Sequence, residues 1–365
     1  MVFVFGIVII ASFVISVIIV AQVLVLSHKK SWYDPIDERK IHTGAIPRLG
    51  GIGFASAFIC MCIGIGFIIP LLPVELIPGI VFHLPFLFPL IAMILVFISG
   101  VFDDFRPMAP RFKLLIQIIA AFLVVMSGYT FQSITFINQG ILGNLNWLRY
   151  PVTFLWIVGL TNAVNLIDGV DGLAGGISAL ASLFFALIFS RIANNSAMIL
   201  ICLCLSAALV GFLVFNMPFP RAKIFMGDGG SQFLGFILAL LPLLNAGGAP
   251  SGFPLLYAAA LLGIPIFDTF AAIWRRIRDR RRIDTPDRLH IHHKLMNLGF
   301  NARGVDAILY GLQILLGILV FESIRYKGAL SLILLGAAYV ATSAFFITIH
   351  FVNRHVIRKR KDPAA

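Results

Sequence analysis

Apolar runs close to 20 residues long recur along this chain, and no other feature constrains its fold as tightly. A run of that length is enough to cross the hydrocarbon of a bilayer as one helix. Charged residues make up only 12% of the 365 positions and hydrophobic residues 60%, whereas an ordinary soluble domain carries about 25% charged residues. Reading the runs against turn signals places eleven spans, at 2–27, 50–72, 84–102, 112–132, 151–164, 173–191, 196–215, 231–246, 254–274, 305–322 and 328–351. The first run is too long and too uniform for a cleavable signal peptide, and no small-residue cleavage site follows it. The expected fold class is an all-α integral membrane protein of about eleven transmembrane helices, forming one polytopic domain over 1–365. Between Gln132 and Tyr150 polar and β-branched residues alternate, a pattern suited to a short amphipathic hairpin.

Lys and Arg set the orientation. With the N-terminus outside, 24 of the 28 basic residues fall in inward-facing segments and four, Arg149, Arg191, Arg325 and Lys327, fall outside. Adding or removing one span would scramble that split. The expected topology has a periplasmic N-terminus, a cytoplasmic C-terminus, and cytoplasmic loops at 28–49, 103–111, 165–172, 216–230 and 275–304. The net charge of +12 then reads as topology and attraction to anionic headgroups, with no call for nucleic acid. Cys60, Cys62, Cys202 and Cys204 all lie inside apolar runs and read as small hydrophobes, since neighbours two apart on a helix point to different sides.

Four polar clusters fall between the expected spans, each on the inner side. Asp103 and Asp104 end the third span, where the negative end of the helix dipole disfavours two carboxylates unless a cation is near. They suit a divalent metal site or a base, against the plainer reading of a solvated acidic helix end. Asn162, Asn165, Asp168 and Asp171 repeat every three residues along one side of a helix end. That favours ligand binding over Asp171 simply capping the sixth span. Phe225 to Ser231 feeds a glycine-rich stretch into a helix start, an anion-binding arrangement, within which Asp228 suits magnesium. The last loop carries Arg275, Arg276, Arg278 and Arg280 to Arg282, read as a headgroup anchor, and then Arg288, His290, His292, His293 and Lys294. Zinc is disfavoured there, because no Cys is close and helical zinc histidines sit four apart. Donors to a diphosphate fit better. Asp268, inside the ninth span, is a functional candidate by depth alone, with Arg275 as the competing ion-pair partner.

These residues resemble the polyprenyl-phosphate N-acetylhexosamine-1-phosphate transferases. The likeness is carried by FDD at 102–104, NAVNLIDGVDGLAGG at 162–176, FMGDGGS at 225–231 and PDRLHIHHKLMNLGF at 286–300. HTGAIPRLGGIGF at 42–54 and the stretch from Arg111 to Gln117 add to it. The HIHH form resembles the bacterial undecaprenyl-phosphate branch that starts O-antigen, enterobacterial common antigen or teichoic acid linkage units. The muramoyl-pentapeptide branch usually has a longer histidine run. What the resemblance implies is transfer of a sugar 1-phosphate, expected to be N-acetylglucosamine 1-phosphate, from a UDP-N-acetyl sugar to undecaprenyl phosphate with release of UMP. It implies Mg2+, with Mn2+ as a substitute, held by Asp228 and Asp104. Asp103, Asp104 and Asp228 would be catalytic. Lys113, Asn162, Asn165, Asp168, Asp171, Arg288, His290, His292 and His293 would bind substrate. The expected location is the bacterial inner membrane with the site facing the cytoplasm, and the resemblance admits a homodimer.

Two rivals come from other classes. A cation-coupled transporter would place polar residues near mid-membrane in inverted halves, and the sequence has neither. A CDP-alcohol phosphotransferase would follow DG with AR, and the DG at 168–169 is not so followed.

Overall fold

The structure, a computed structural model, describes residues 2–33, 46–65, 87–133, 147–192, 196–218, 221–244, 253–282, 287 and 289–361. The expected hairpin between Gln132 and Tyr150 falls mostly outside these residues. Among them there are thirteen α-helices and no strand. In chain order they are α1 (Val2–Lys30), α2 (Gly50–Ile63), α3 (Leu87–Phe105), α4 (Pro110–Met126), α5 (Arg149–Ile167), α6 (Leu173–Ile192) and α7 (Ser196–Asn216). These are followed by α8 (Gly227–Leu240), α9 (Leu255–Leu261), α10 (Gly263–Arg278), α11 (Ile291–Asn297), α12 (Ala302–Arg325) and α13 (Ala329–Lys361).

A helix stands at each of the eleven expected positions. Seven of them, α1, α3, α5, α6, α7, α12 and α13, are long and apolar enough to cross a membrane, and α9 with α10 makes an eighth if that bent pair is one span. The apolar run over 254–274 predicts one continuous span. Instead α9 and α10 meet at 86°. Pro265 accounts for the break. It has no N–H to donate and it disfavours helical backbone in the residue before it, so it is tolerated in the first turn of a new helix and not within a continuing one.

The centre of the bundle is α8. Apart from Asp228, every residue of this 14-residue helix is buried, as a helix apolar all round requires. It packs between α2, α3 and α5, while α7 packs on α1, α2 and α6. Small and hydroxylated residues let these helices approach closely, the usual way helices associate without a hydrophobic driving force between them. Ser12 and Ser16 of α1, one turn apart, donate to the Cys204 and Ala208 carbonyls of α7 over 2.8 and 2.6 Å. The four cysteines are free, three of them buried, as the sequence suggested. Outer helices such as α1 and α13 leave large apolar side chains exposed, among them Ile10, Val25, Ile333 and Val340.

Candidate active site

The C-termini of α3 and α5 and the N-termini of α2, α4 and α8 meet at one end of the bundle. Glycines make that meeting possible. A Cβ on Gly51 would fall 2.3 Å from the Gly230 backbone, and one on Gly100 would fall 2.6 Å from Gly229 Cα. Gly227 has φ +76°, and its missing side chain would collide with the Arg48 carbonyl and the Asp104 carboxylate. Backbone bonds then lock residues 47–51 to 225–226. Phe225 N–H donates to Pro47 O at 2.8 Å, Gly50 N–H to Phe225 O at 2.9 Å and Gly51 N–H to Met226 O at 2.8 Å.

This lock decides what the glycine-rich start of α8 binds. The N–H groups of Asp228 and Gly229 donate to the two carboxylate oxygens of Asp104 over 2.7 and 2.9 Å. The anion at this helix N-terminus is thus the protein's own carboxylate. The expected phosphate cradle is taken, and the glycines serve close packing.

Around that turn the charged side chains converge. Lys113 Nζ lies 2.5 Å from Asp103 Oδ2 and 2.5 Å from Asp228 Oδ2. Arg48 reaches Asp228 Oδ1 at 3.3 Å and Asp104 Oδ1 at 4.0 Å. Asp103 Oδ1 accepts the Met108 N–H over 2.6 Å, which ties the start of the α3–α4 turn. Asn165 Nδ2 donates to Ser231 Oγ at 2.7 Å and lies 3.4 Å from Asp228 Oδ1. Asp168 follows directly on α5, and burial first, then the nearby Asp228 carboxylate, push its pKa up to about 7.

The histidine segment closes the same end. His290 Nδ1 is hydrogen-bonded to Asp268 Oδ2 at 2.7 Å, and Ile291 N–H donates to Asp268 Oδ1 at 2.8 Å. Asp268 therefore anchors the start of α11. Its competing partner Arg275 instead grips Asp287, with Nε and Nη2 donating to Oδ2 over 3.0 and 2.5 Å. The His292 ring lies against Gly169, where any side chain would strike it, and it neighbours both other imidazoles. It is buried, and its Nδ1 has no partner among the described residues. Burial, with His293 beside it, pushes its pKa down to about 3. Burial, then Arg275, also lowers Lys294, to about 8.

Two of the expected site residues make their hydrogen bonds outside this cluster. Asn162 turns deeper, donating to Gln117 Oε1 over 2.6 Å. Asp171 accepts the Ala222 N–H at 3.4 Å. Arg288 lies outside the described residues. Sequence reasoning missed Arg48 as a site residue, placing it in the basic count and in the 42–54 motif without a role. The signal was its place before the glycine pair Gly50-Gly51, which is small enough only for backbone-to-backbone contact. Among the described residues no group of three or more His, Cys, Asp or Glu side chains is placed to hold a metal ion.

Residues 86–245 match the profile of glycosyl transferase family 4, a stretch that contains every acidic site residue and ends before the histidines. The chain is 34% identical over 327 residues to the probable undecaprenyl-phosphate N-acetylglucosaminyl 1-phosphate transferase of Bacillus subtilis strain 168, spanning 89% of this chain and 83% of that one. It is 32% identical over 337 residues to the decaprenyl-phosphate N-acetylglucosaminephosphotransferase of Mycobacterium tuberculosis, covering 86% and 81%. To the undecaprenyl-phosphate alpha-N-acetylglucosaminyl 1-phosphate transferase of Escherichia coli K12 it is 29% identical over 283 residues, covering 76% and 72%.

Proposed function

Because the chain belongs to glycosyl transferase family 4, we propose that it transfers N-acetylglucosamine 1-phosphate from a UDP-sugar to undecaprenyl phosphate. UMP leaves, and a lipid-linked sugar diphosphate stays in the membrane. One observation carries this reading: Asp103 and Asp104, Lys113, Asn165 and Asp228 come from four helices to a single point at one end of an apolar bundle. A water-soluble nucleotide sugar and a membrane-anchored phosphate can meet at such an edge.

Both reactants are anions, so the main task is neutralisation and alignment. Lys113 and Arg48 supply fixed positive charge. Against them stand Asp103, Asp104, Asp168 and Asp228, an excess of negative charge and an all-oxygen donor set that fits a hard divalent cation such as Mg2+, with Mn2+ as a substitute. Asp228, with Asp168 beside it, would hold the ion. Asp104 supports that pair from behind, since each of its oxygens already accepts an N–H. The ion, when bound, would neutralise diphosphate charge and favour departure of UMP. Asp103 orients Lys113. It need not act as a base, because a phosphate monoester loses its second proton near pH 6. His292, uncharged at neutral pH, offers hydrogen bonding to the sugar or diphosphate, and His290, His293 and Arg288 belong to the same segment. The split of basic residues supports eleven spans with the site on the cytoplasmic face of the bacterial inner membrane.

Purified protein supplied with Mg2+, UDP-N-acetylglucosamine and undecaprenyl phosphate should release UMP. Asp228→Ala should lower turnover at least about 1,000-fold while the protein still inserts. No UMP from any UDP-amino sugar would end the transferase reading, and near-normal Asp228→Ala activity would end the metal assignment.

A further inference from the structure

Beneath the carboxylates, three amide side chains form a chain that the proposed chemistry does not use. Gln117 lies one helical turn beyond Lys113 on α4, Gln232 one turn beyond Asp228 on α8, and Asn162 three residues before Asn165 on α5. Asn162 Nδ2 donates to Gln117 Oε1 over 2.6 Å, and Gln117 Nε2 donates to Gln232 Oε1 over 3.1 Å. Asn162 Nδ2 also reaches the Val158 carbonyl of its own helix at 2.8 Å. Both glutamines are 2% exposed. Three of the four helices that bring polar groups to the site, α4, α5 and α8, therefore carry an amide one turn deeper that joins a hydrogen-bonded chain between them.

We infer that Gln117, Asn162 and Gln232 are positioning residues, which fix the axial register of α4, α5 and α8 and so hold Lys113, Asn165 and Asp228 at their working separations. The inference rests on the transferase reading of the site above. Apolar contact between helices is non-directional and changes little when one slides on another. A hydrogen bond in apolar surroundings is directional and is lost within about an ångström. One turn is about 5.4 Å of rigid helix, so a slip at the amides reaches the charged groups undiminished. A misplacement of about 1 Å at a reacting centre can lower the rate about 100-fold. Leucines at these positions would bury as much surface while leaving the register loose.

Gln117→Met and Gln232→Met keep the bulk and remove the shared bond. Each should lower kcat about 10- to 100-fold while the donor KM stays within about threefold. Because both remove the same bond, the double variant should be within about threefold of the worse single one. Hydrogen exchange of the peptide over 226–232 should quicken in each, with thermal unfolding in detergent following the same samples. Asn162→Ala removes only the outer link and serves where Gln117→Met does not fold. An unchanged kcat, a loss confined to KM, or losses that multiply in the double variant would overturn the positioning role. Should the wild-type protein release no UMP, the transferase reading falls separately, and unchanged exchange at 226–232 would still sink the register claim.

Discussion

A single lysine summarises the chemistry at the scale of residues. Lys113 sits 2.5 Å from each of two carboxylates contributed by different helices, so its ammonium is the local counter-ion of a site that carries more acid than base. Its neighbour Arg48 was legible as part of a basic count and of the 42–54 motif but not as a site residue, because its role depends on a backbone lock to residues about 175 positions away. The acids were legible individually, since carboxylates at the ends of apolar runs are costly without a partner. Their division of labour was not: Asp104 spends both oxygens on the α8 start, and Asp171 accepts the Ala222 N–H. His292 supplies a pH prediction. Its folded pKa of about 3 lies below the ordinary 6.5, so the unfolded chain binds the extra proton between those values. The stability this contributes is present above pH 6.5 and is lost as pH falls from 6.5 towards 3. Thermal unfolding in detergent should show wild type losing stability over that window more steeply than His292→Gln. Parallel profiles would contradict a buried neutral imidazole.

Among the elements, α8 shows what helix packing demands. Its start lies against α2 and α3 with backbone touching backbone, and the sequence announces this only as a run of glycines. Read alone, that run suits a phosphate loop equally well. The deciding fact is that Asp104 arrives from α3 to occupy its N–H groups. Gly51→Ala should therefore destabilise the protein by about 1–3 kcal/mol or more, because the new methyl meets Gly230 backbone that cannot move aside. Gly159→Ala on α5 has open space around it and should be neutral or stabilising by up to about 1 kcal/mol. Unfolding temperatures of the two variants in the same detergent separate these outcomes, and equal effects would refute the packing role. The break between α9 and α10 was marked in the sequence by Gly263 and Pro265. Hydropathy hides the break because the apolar run continues straight through them.

For the whole molecule, topology and chemistry meet at one end of the bundle. A reporter fused after Ala365 should report cytoplasm, and a cysteine placed at Arg221 should be labelled only from the cytoplasmic side. A periplasmic signal from either would break the eleven-span arrangement. The sequence by itself determined that the chain is helical and membrane-embedded, where its helices lie, and which segments carry polar chemistry. Those are properties of windows of about 20 residues, and hydropathy reports them directly. Only the tertiary structure decided which polar residues share a site, since Asp103, Lys113, Asn165 and Asp228 are brought together across as many as 125 positions. It also turned Asn162 and Asp171 elsewhere and brought Arg48 in. The apolar runs say where helices form along the chain. Which glycines touch, and hence which charges meet, depends on side-chain shape between helices remote in sequence, and no local window contains that information.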